Sequence, residues 1–270
     1  KPLLGRKRLK AIDQKDINRF MHDVAAGKTA ADVKTRKQGR AIVKGGKGTA
    51  TRTVGLLSGI FAFAVDQEYR NDNPVHGVKR FPDAKNKRYL APDEMAELGE
   101  ALQAASDNGE NPKAIAAIRL LCLTGCRKGE ILSLKWSEVD FERKCLHLSS
   151  TKTGDKEIQV GPPALELLAS VPKHDQSEYV FPGEKGGHYV GLPKVWERIR
   201  VSAGLDGVRL HDLRHSFASV GTGVGLSLPI IGKMLGHSRA ETTQRYAHLA
   251  DDPLRKATND VSKQIAASME

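Results

Sequence analysis

The segment 76-HGVKRFPDAKNKR-88 is polar and basic and shows neither helical nor strand-like periodicity. Amphipathic patterns precede it and resume after it. Such a break keeps the apolar residues on its two sides out of one continuous packing arrangement, and 270 residues is already long for a single core. The expected organisation is therefore two domains: residues 1–82, a linker over 83–90, and residues 91–270.

Charge follows the same division. Residues 1–88 hold 21 Lys/Arg against 8 Asp/Glu, a net of +13, whereas residues 89–270 hold 22 against 24, a net of −2. Positive charge concentrated in one third of a chain points to a polyanion, with nucleic acid ahead of an anionic membrane surface. No long amphipathic basic helix and no apolar run near 18 residues supports a membrane partner. The start, KPLLGRKRLK, has no apolar segment of the kind a secretory signal needs. Position 1 is lysine rather than methionine, which leaves room for a segment upstream. Cys122, Cys126 and Cys145 lack C-x-x-C spacing, which argues against a disulfide framework and a cysteine zinc site. A reducing, cytoplasmic (nucleoid-associated) location follows as the expectation.

Periodicity predicts helices over 13–25, with Asp13 as N-cap and Ile17, Phe20, Met21 and Val24 on one face, and over 51–69, with Val54, Leu57, Ile60, Phe61 and Ala64. Asn-Asp-Asn-Pro at 71–74 should stop the second. Residues 28–50, rich in Lys/Arg and carrying GGKG, read as a mobile basic loop. Its cations and their neighbours, Lys34, Arg36, Lys37, Arg40, Lys44, Lys47 and Arg52, are the candidate DNA contacts. Beyond the linker, helices are expected over 91–102, 113–123 (ended by Gly125), 162–171, 192–203, 212–224, 227–235, 239–248 and, with weaker periodicity, 252–268. KCLHLSS and KEIQVG, around TKTGD, alternate as a hairpin. The fold class is thus mainly α with a small β-sheet.

The stretch 211-HDLRH-215 admits two chemistries. Histidines four apart on a helix can hold zinc, but Asp212 stands where a glutamate base is wanted, and Arg214 keeps a positive charge beside any dication. The alternative is an anion site. Arg127, in 124-TGCRKGE-130, follows a glycine break at the start of a helix and can offer a bidentate fork to phosphate. Lys152 in TKTGD, His237 in LGHS and Tyr246 in QRYAHL are further candidates, each unremarkable in isolation.

Taken in order, T-G-x-R-x-x-E, a hairpin lysine, H-x-x-R, L-G-H and a tyrosine shortly after resemble the tyrosine recombinase (phage integrase) family. Here they are Arg127, Lys152, His211, Arg214, His237 and Tyr246. The blocks HDLRHSFAS, IGKMLGHS and TTQRYAHL carry most of the specificity, and the basic helical first third resembles the family's core-binding domain. The resemblance implies a helical core-binding domain joined to an α+β catalytic domain, clamping duplex DNA. It also implies strand cleavage and rejoining through a 3′-phosphotyrosine on Tyr246, with no metal and no other cofactor.

In that reading Arg127 and Arg214 neutralise the transition state, His237 donates a hydrogen bond, His211 accepts the tyrosine proton and Lys152 protonates the leaving 5′-oxygen. Lys156 flanks the same turn and stays open as an alternative to Lys152. Glu130 is expected to orient a neighbour, and His215 and His248 to support packing. His147, His174 and His188 receive no role. The implied partners are duplex DNA attachment sites, a homotetramer on paired sites, a neighbour that receives segment 252–268, and accessory DNA-bending or directionality proteins. The rival readings are a type IB topoisomerase, a DNA-binding regulator without catalysis, and a metal-dependent nuclease.

Overall fold

The computed structural model describes residues 3–36, 39–82, 88–149, 154–249 and 251–269, apart from the side chains at 36, 248, 249, 251–257 and 260. The chain divides into two compact units, Lys1–Asn86 and Lys87–Glu270.

In the first unit, α1 (Gln14–Ala25) begins at Asp13, whose carboxylate accepts the Asp16 N–H at 2.8 Å while the Asp16 carboxylate accepts the Asp13 N–H. This reciprocal cap satisfies two otherwise orphaned donors. Ile17, Met21 and Val24 are buried against Ala50, Val54 and Phe61 of α2 (Lys47–Asp66). The segment after α2 is stapled back by side chains. Arg70 is buried, donates to the carbonyls of Leu9 and Ile12 at 2.9 and 3.2 Å, and lies 5.0 Å above the Phe61 ring. Asn73 donates to Ser58 O at 3.0 Å and accepts from the Val75 N–H. By length and mean hydropathy (1.3) α2 is apolar enough to cross a membrane. In this unit it is a core helix on one face, with Leu56, Ile60 and Phe63 exposed on others.

The expected basic loop over 28–50 is instead an antiparallel hairpin, β1 (Ala31–Arg36) with β2 (Gly39–Val43), followed directly by α2. Val33, Thr35, Ile42 and Val43 are β-branched and favour extended backbone. The pattern is hard to see because the hairpin has no buried face: Val33 and Ile42 are 53% and 55% exposed. Lys34 stands directly opposite Arg40, and Arg40 turns to the Asp32 carboxylate instead (2.6 and 2.5 Å). That ion pair offsets a like-charge pairing that would weaken the hairpin.

The second unit is built around α4 (Pro112–Thr124), whose Ala114, Ala117, Ile118, Leu120 and Leu121 are buried. Around it pack α3 (Pro92–Asp107), α5 (Lys128–Leu132), α6 (Pro162–Ser170), α7 (Leu192–Ser202) and α8 (Leu210–Gly223). The helices α3, α4, α6 and α7 carry proline in their first turn, where the missing N–H costs nothing. The expected hairpin is present as β4 (Cys145–Leu148) with β5 (Lys156–Gln159), and β3 (Val139–Asp140) extends it to three antiparallel strands. Leu146, Leu148 and Ile158 from this sheet enter the main core.

A smaller apolar cluster joins α8 to α9 (Leu228–Met234): Ala218, Ile231, Leu235 and Tyr246, flanked by Phe217, Leu226 and Leu228. The helix expected over 239–248 is replaced by two 3-10 turns, Ala240–Thr242 and Gln244–Leu249. Bonds from the Thr243 N–H to Ala240 O and from the Tyr246 N–H to Thr243 O close them tightly over three residues. The last helix, α10, spans Asp251–Met269.

Candidate active site

Five short segments of the second unit meet at the end of α4, and a glycine makes the meeting possible. Gly125 caps α4 in the left-handed region (φ 63°). A Cβ there would lie 2.6 Å from the Phe217 ring and 2.9 Å from Leu235 Cδ2, so only glycine allows α8 and α9 this close. The freed Gly125 carbonyl accepts Arg214 Nη1 at 2.7 Å, and the Leu235 carbonyl accepts Arg214 Nη2 at 2.8 Å. One buried guanidinium therefore joins the C-terminal ends of α4 and α9 to α8. Its charge has no carboxylate partner among its described hydrogen bonds, and burial together with Arg127 depresses its pKa.

Arg127 follows two residues later and caps α5. Glu130 accepts both its backbone N–H (2.8 Å) and its Nη1 (2.8 Å), leaving the guanidinium 37% exposed. The same carboxylate accepts Lys156 Nζ at 2.6 Å, from the start of β5. Lys156 is nearly buried, and Gly236 (φ 64°) lies against it: a Cβ there would meet Lys156 Cδ and Ile158 Cδ1 at 2.9 Å. Of the two lysines weighed for the hairpin, Lys156 is thus tied to the Arg127 cluster. Lys152 lies outside the described residues.

His237, next after Gly236, has Nδ1 2.8 Å from Thr243 Oγ1. Thr243 is buried and lies within the block TTQRYAHL, where spacing assigns it no role; its role is visible only once the 3-10 turns bring it under the imidazole. Burial, reinforced by Arg214, Arg127, Arg245 and Lys156, lowers the His237 pKa to about 4. The ring is neutral at physiological pH, so Nε2 carries the hydrogen or Nδ1 does, according to tautomer.

The pentapeptide HDLRH opens α8. Asp212 is fully buried and accepts from the Arg209 backbone and guanidinium (2.8, 2.6 and 3.1 Å), so it anchors the helix start. His211 and His215 meet edge to face, with ring centroids 5.0 Å apart. The Tyr246 hydroxyl lies 2.8 Å from Nδ1 of His215, and not on His211, the proton acceptor expected from the family pattern. The distinction arises from helix geometry: His215 is one turn further along α8, level with the 3-10 turn that carries Tyr246. Burial lowers the pKa of His215 to about 4, with His211 contributing, and lowers that of His211, with Arg214 contributing. Tyr246 is buried and its pKa is raised by that burial, against the opposing pull of Arg214 and Arg245. At rest the phenol is protonated and sequestered.

The structure therefore brings Arg127, Glu130, Lys156, Arg214, His211, His215, His237 and Tyr246 into one contiguous set. The candidate DNA contacts belong to the first unit. Lys34, Arg40, Lys44, Lys47 and Arg52 are exposed, Arg40 in an ion pair with Asp32. The side chains of Arg36 and Lys37, and of His248 in the second unit, lie outside the described residues.

Residues 88–252 match the Phage integrase family. Among curated proteins, the tyrosine recombinase XerC of Pediococcus pentosaceus is 25% identical over 221 residues, covering 77% of this chain and 73% of that protein. The integrase of Escherichia phage P2 is 31% identical over 209 residues, 76% of this chain and 57% of that protein. Among solved structures, the Tn1549 transposon integrase in complex with circular intermediate DNA superposes with a TM-score of 0.69 at 18% identity, over 94% of this chain and 87% of that one. A lambda integrase tetramer bound to a Holliday junction does so with a TM-score of 0.64 at 18% identity, over 88% and 68%. At such identities these two likenesses concern the fold.

Proposed function

The chain belongs to the phage integrase family of tyrosine recombinases, and from that premise we propose that it is a site-specific DNA recombinase. It acts on duplex attachment sites to integrate or excise a mobile element. The observation that carries the reading is the arrangement of Arg127, Arg214 and His237 with a buried tyrosine in the same unit.

The Tyr246 oxygen attacks the scissile phosphorus, a 3′-phosphotyrosine forms, and the 5′-oxygen leaves. Arg127 and Arg214 neutralise the charge that builds on the non-bridging oxygens, and His237 donates to one of them. The phenol, with an ordinary pKa near 10, needs a base. Two neutral imidazoles compete for that role, His211 by its place in the family pattern and His215 by its 2.8 Å contact in the resting state. With the His215 hydrogen on Nε2, Nδ1 accepts the hydroxyl. A lysine protonates the leaving 5′-oxygen: Lys152 by its position before the turn glycine, Lys156 by its contact with the Glu130 cluster. A second 5′-hydroxyl then attacks the phosphotyrosine, so bond energy is conserved and no cofactor enters the chemistry.

Residues 1–82 serve as the core-binding domain, with Lys34, Arg36, Lys37, Arg40, Lys44, Lys47 and Arg52 contacting phosphates. Residues 91–270 form the catalytic domain, joined by Leu90, which is buried in its core and donates its N–H to Ser216 Oγ at 2.8 Å, so the linker expected over 83–90 ends short of that residue. Exchange between two duplexes calls for four protomers on paired sites, with accessory DNA-bending or directionality proteins setting the outcome. The place of action is the cytoplasm, where the DNA is.

A nicked suicide duplex bearing the cognate site should trap a covalent complex in the presence of EDTA, and Tyr246→Phe should abolish it. No complex from the wild-type protein, or a persistent one from the variant, would refute the assignment. His211→Ala and His215→Ala, compared by pH–rate profile, separate the two candidate bases.

A further inference from the structure

We propose that the three-stranded sheet holds a divalent transition-metal site, best suited to Zn²⁺, made by Asp140, Cys145 and His147. Strand register puts the ligands together. Asp140 on β3 stands directly opposite Cys145 on β4, and His147 on β4 stands directly opposite Glu157 on β5. Cross-strand partners share a face, as do residues two apart along a strand, so all four side chains stand on one side of the sheet. The other side carries Leu146, Leu148 and Ile158 into the core. Lys156, which reaches Glu130, is on that opposite side as well, so the metal face and the recombinase residues are separate.

Two of the three donor–donor edges match a tetrahedral ion, and the third is short enough to close on one. His147 Nε2 lies 3.3 Å from Cys145 Sγ and 3.6 Å from Asp140 Oδ2, and the three donor atoms all fall within 4.8 Å of one another. Zinc bonds of about 2.3 Å to sulfur and about 2.0–2.1 Å to nitrogen and oxygen require ligand–ligand edges of roughly 3.3–3.6 Å. The orienting contacts are also present. Glu157 Oε2 lies 3.5 Å from His147 Nδ1, the carboxylate–histidine arrangement that fixes a ligand imidazole with Nε2 towards the metal. The Arg143 N–H donates to Asp140 Oδ1 at 2.8 Å, leaving Oδ2 for the ion. Cys145 is fully buried while His147 is 41% exposed, so the site opens to solvent on one side and water completes the coordination.

Thiolate with imidazole and carboxylate favours zinc over magnesium or calcium. The ion would tie β3 to β4 at the base of the hairpin whose connecting residues include Lys152. No spacing rule finds this set, because D-x-x-x-x-C-x-H becomes a cluster only through antiparallel register.

The test uses the full chain stripped with a chelator. Zinc titrated against a chromophoric competitor should bind one ion per chain at this site, and Co²⁺ in its place should show a thiolate charge-transfer band. A hundredfold excess of zinc over Kd should raise Tm by roughly 5–10 °C. His147→Ala, at a half-exposed position that leaves packing intact, should abolish binding and the Tm shift. Cys145→Ser should remove the charge-transfer band while Cys122→Ser keeps it, and Glu157→Gln should weaken affinity about tenfold. Absence of stoichiometric binding to the wild-type chain would overturn the proposal. So would zinc affinity unchanged by His147→Ala, which would place the ion on other histidines.

Discussion

Arg214→Ala and Arg127→Ala should both abolish covalent complex formation, yet differ widely in their effect on stability. Arg214 is 3% exposed and its two Nη groups satisfy the carbonyls of Gly125 and Leu235. Hydrogen bonds to a charged donor contribute about 1.5–3 kcal/mol each, so truncation should cost about 3–6 kcal/mol and leave two interior acceptors unpaired. For a domain of this size 1 kcal/mol moves Tm by roughly 2–4 °C, and the variant should melt roughly 10–20 °C below wild type. Arg127 is 37% exposed in a single ion pair with Glu130, which keeps Lys156 as a partner after the change. The Glu130 carboxylate is nearly buried but keeps both Lys156 and the residue-127 backbone N–H, so only the half-exposed arm of the pair is lost; at about 1 kcal/mol or less for such an arm, Tm should fall by no more than about 4 °C. Arg214→Lys should lie between, because a shorter side chain ending in a single nitrogen lacks the planar fork whose two nitrogens address the two carbonyls separately. Thermal unfolding by circular dichroism, paired with suicide-duplex trapping, measures both effects. If Arg214→Ala melts within about 4 °C of wild type, or Arg127→Ala falls as far as Arg214→Ala, the division between a structural clamp and an exposed phosphate ligand is wrong.

His215 and His237 have pKa values lowered to about 4 against about 6.5 in an unfolded chain. The unfolded state therefore binds more protons between these limits, and stability present above pH 6.5 should be lost as pH falls towards 4. Urea midpoints across that window test it, and His215→Gln should flatten the slope. Gly236→Ala should destabilise by about 1 kcal/mol or more from the left-handed backbone and push Lys156 off Glu130, reducing cleavage. Normal cleavage with an unchanged melting temperature would count against that packing. Charge reversal of Lys34 and Lys44 should lower DNA affinity and reduce the salt slope by roughly 0.9 for each phosphate no longer neutralised. A slope equal to that of wild type would remove the hairpin from the interface.

Elements with one buried stripe are legible in the sequence. The helices α1, α4 and α7 show their period because one face of each enters a core, and Asp13 and Gly125 mark ends that their caps explain. The β1–β2 hairpin is not legible, since neither of its faces is buried and its cations dominate the composition. The 3-10 turns at 240–249 look like a helix in the sequence because apolar spacing over so short a span fits either winding.

Sequence alone determined the family, the order of Arg127, His211, Arg214, His237 and Tyr246, and the basic first third. These are properties of residue identity and spacing along the chain. Only the tertiary structure decided which groups touch: His215 rather than His211 on the Tyr246 hydroxyl, Lys156 on Glu130, Thr243 under His237, and Asp140, Cys145 and His147 on one face of the sheet. Each of these contacts joins segments whose approach is set by packing, by a left-handed glycine or by strand register. Local spacing does not encode a distance that the rest of the fold has to close.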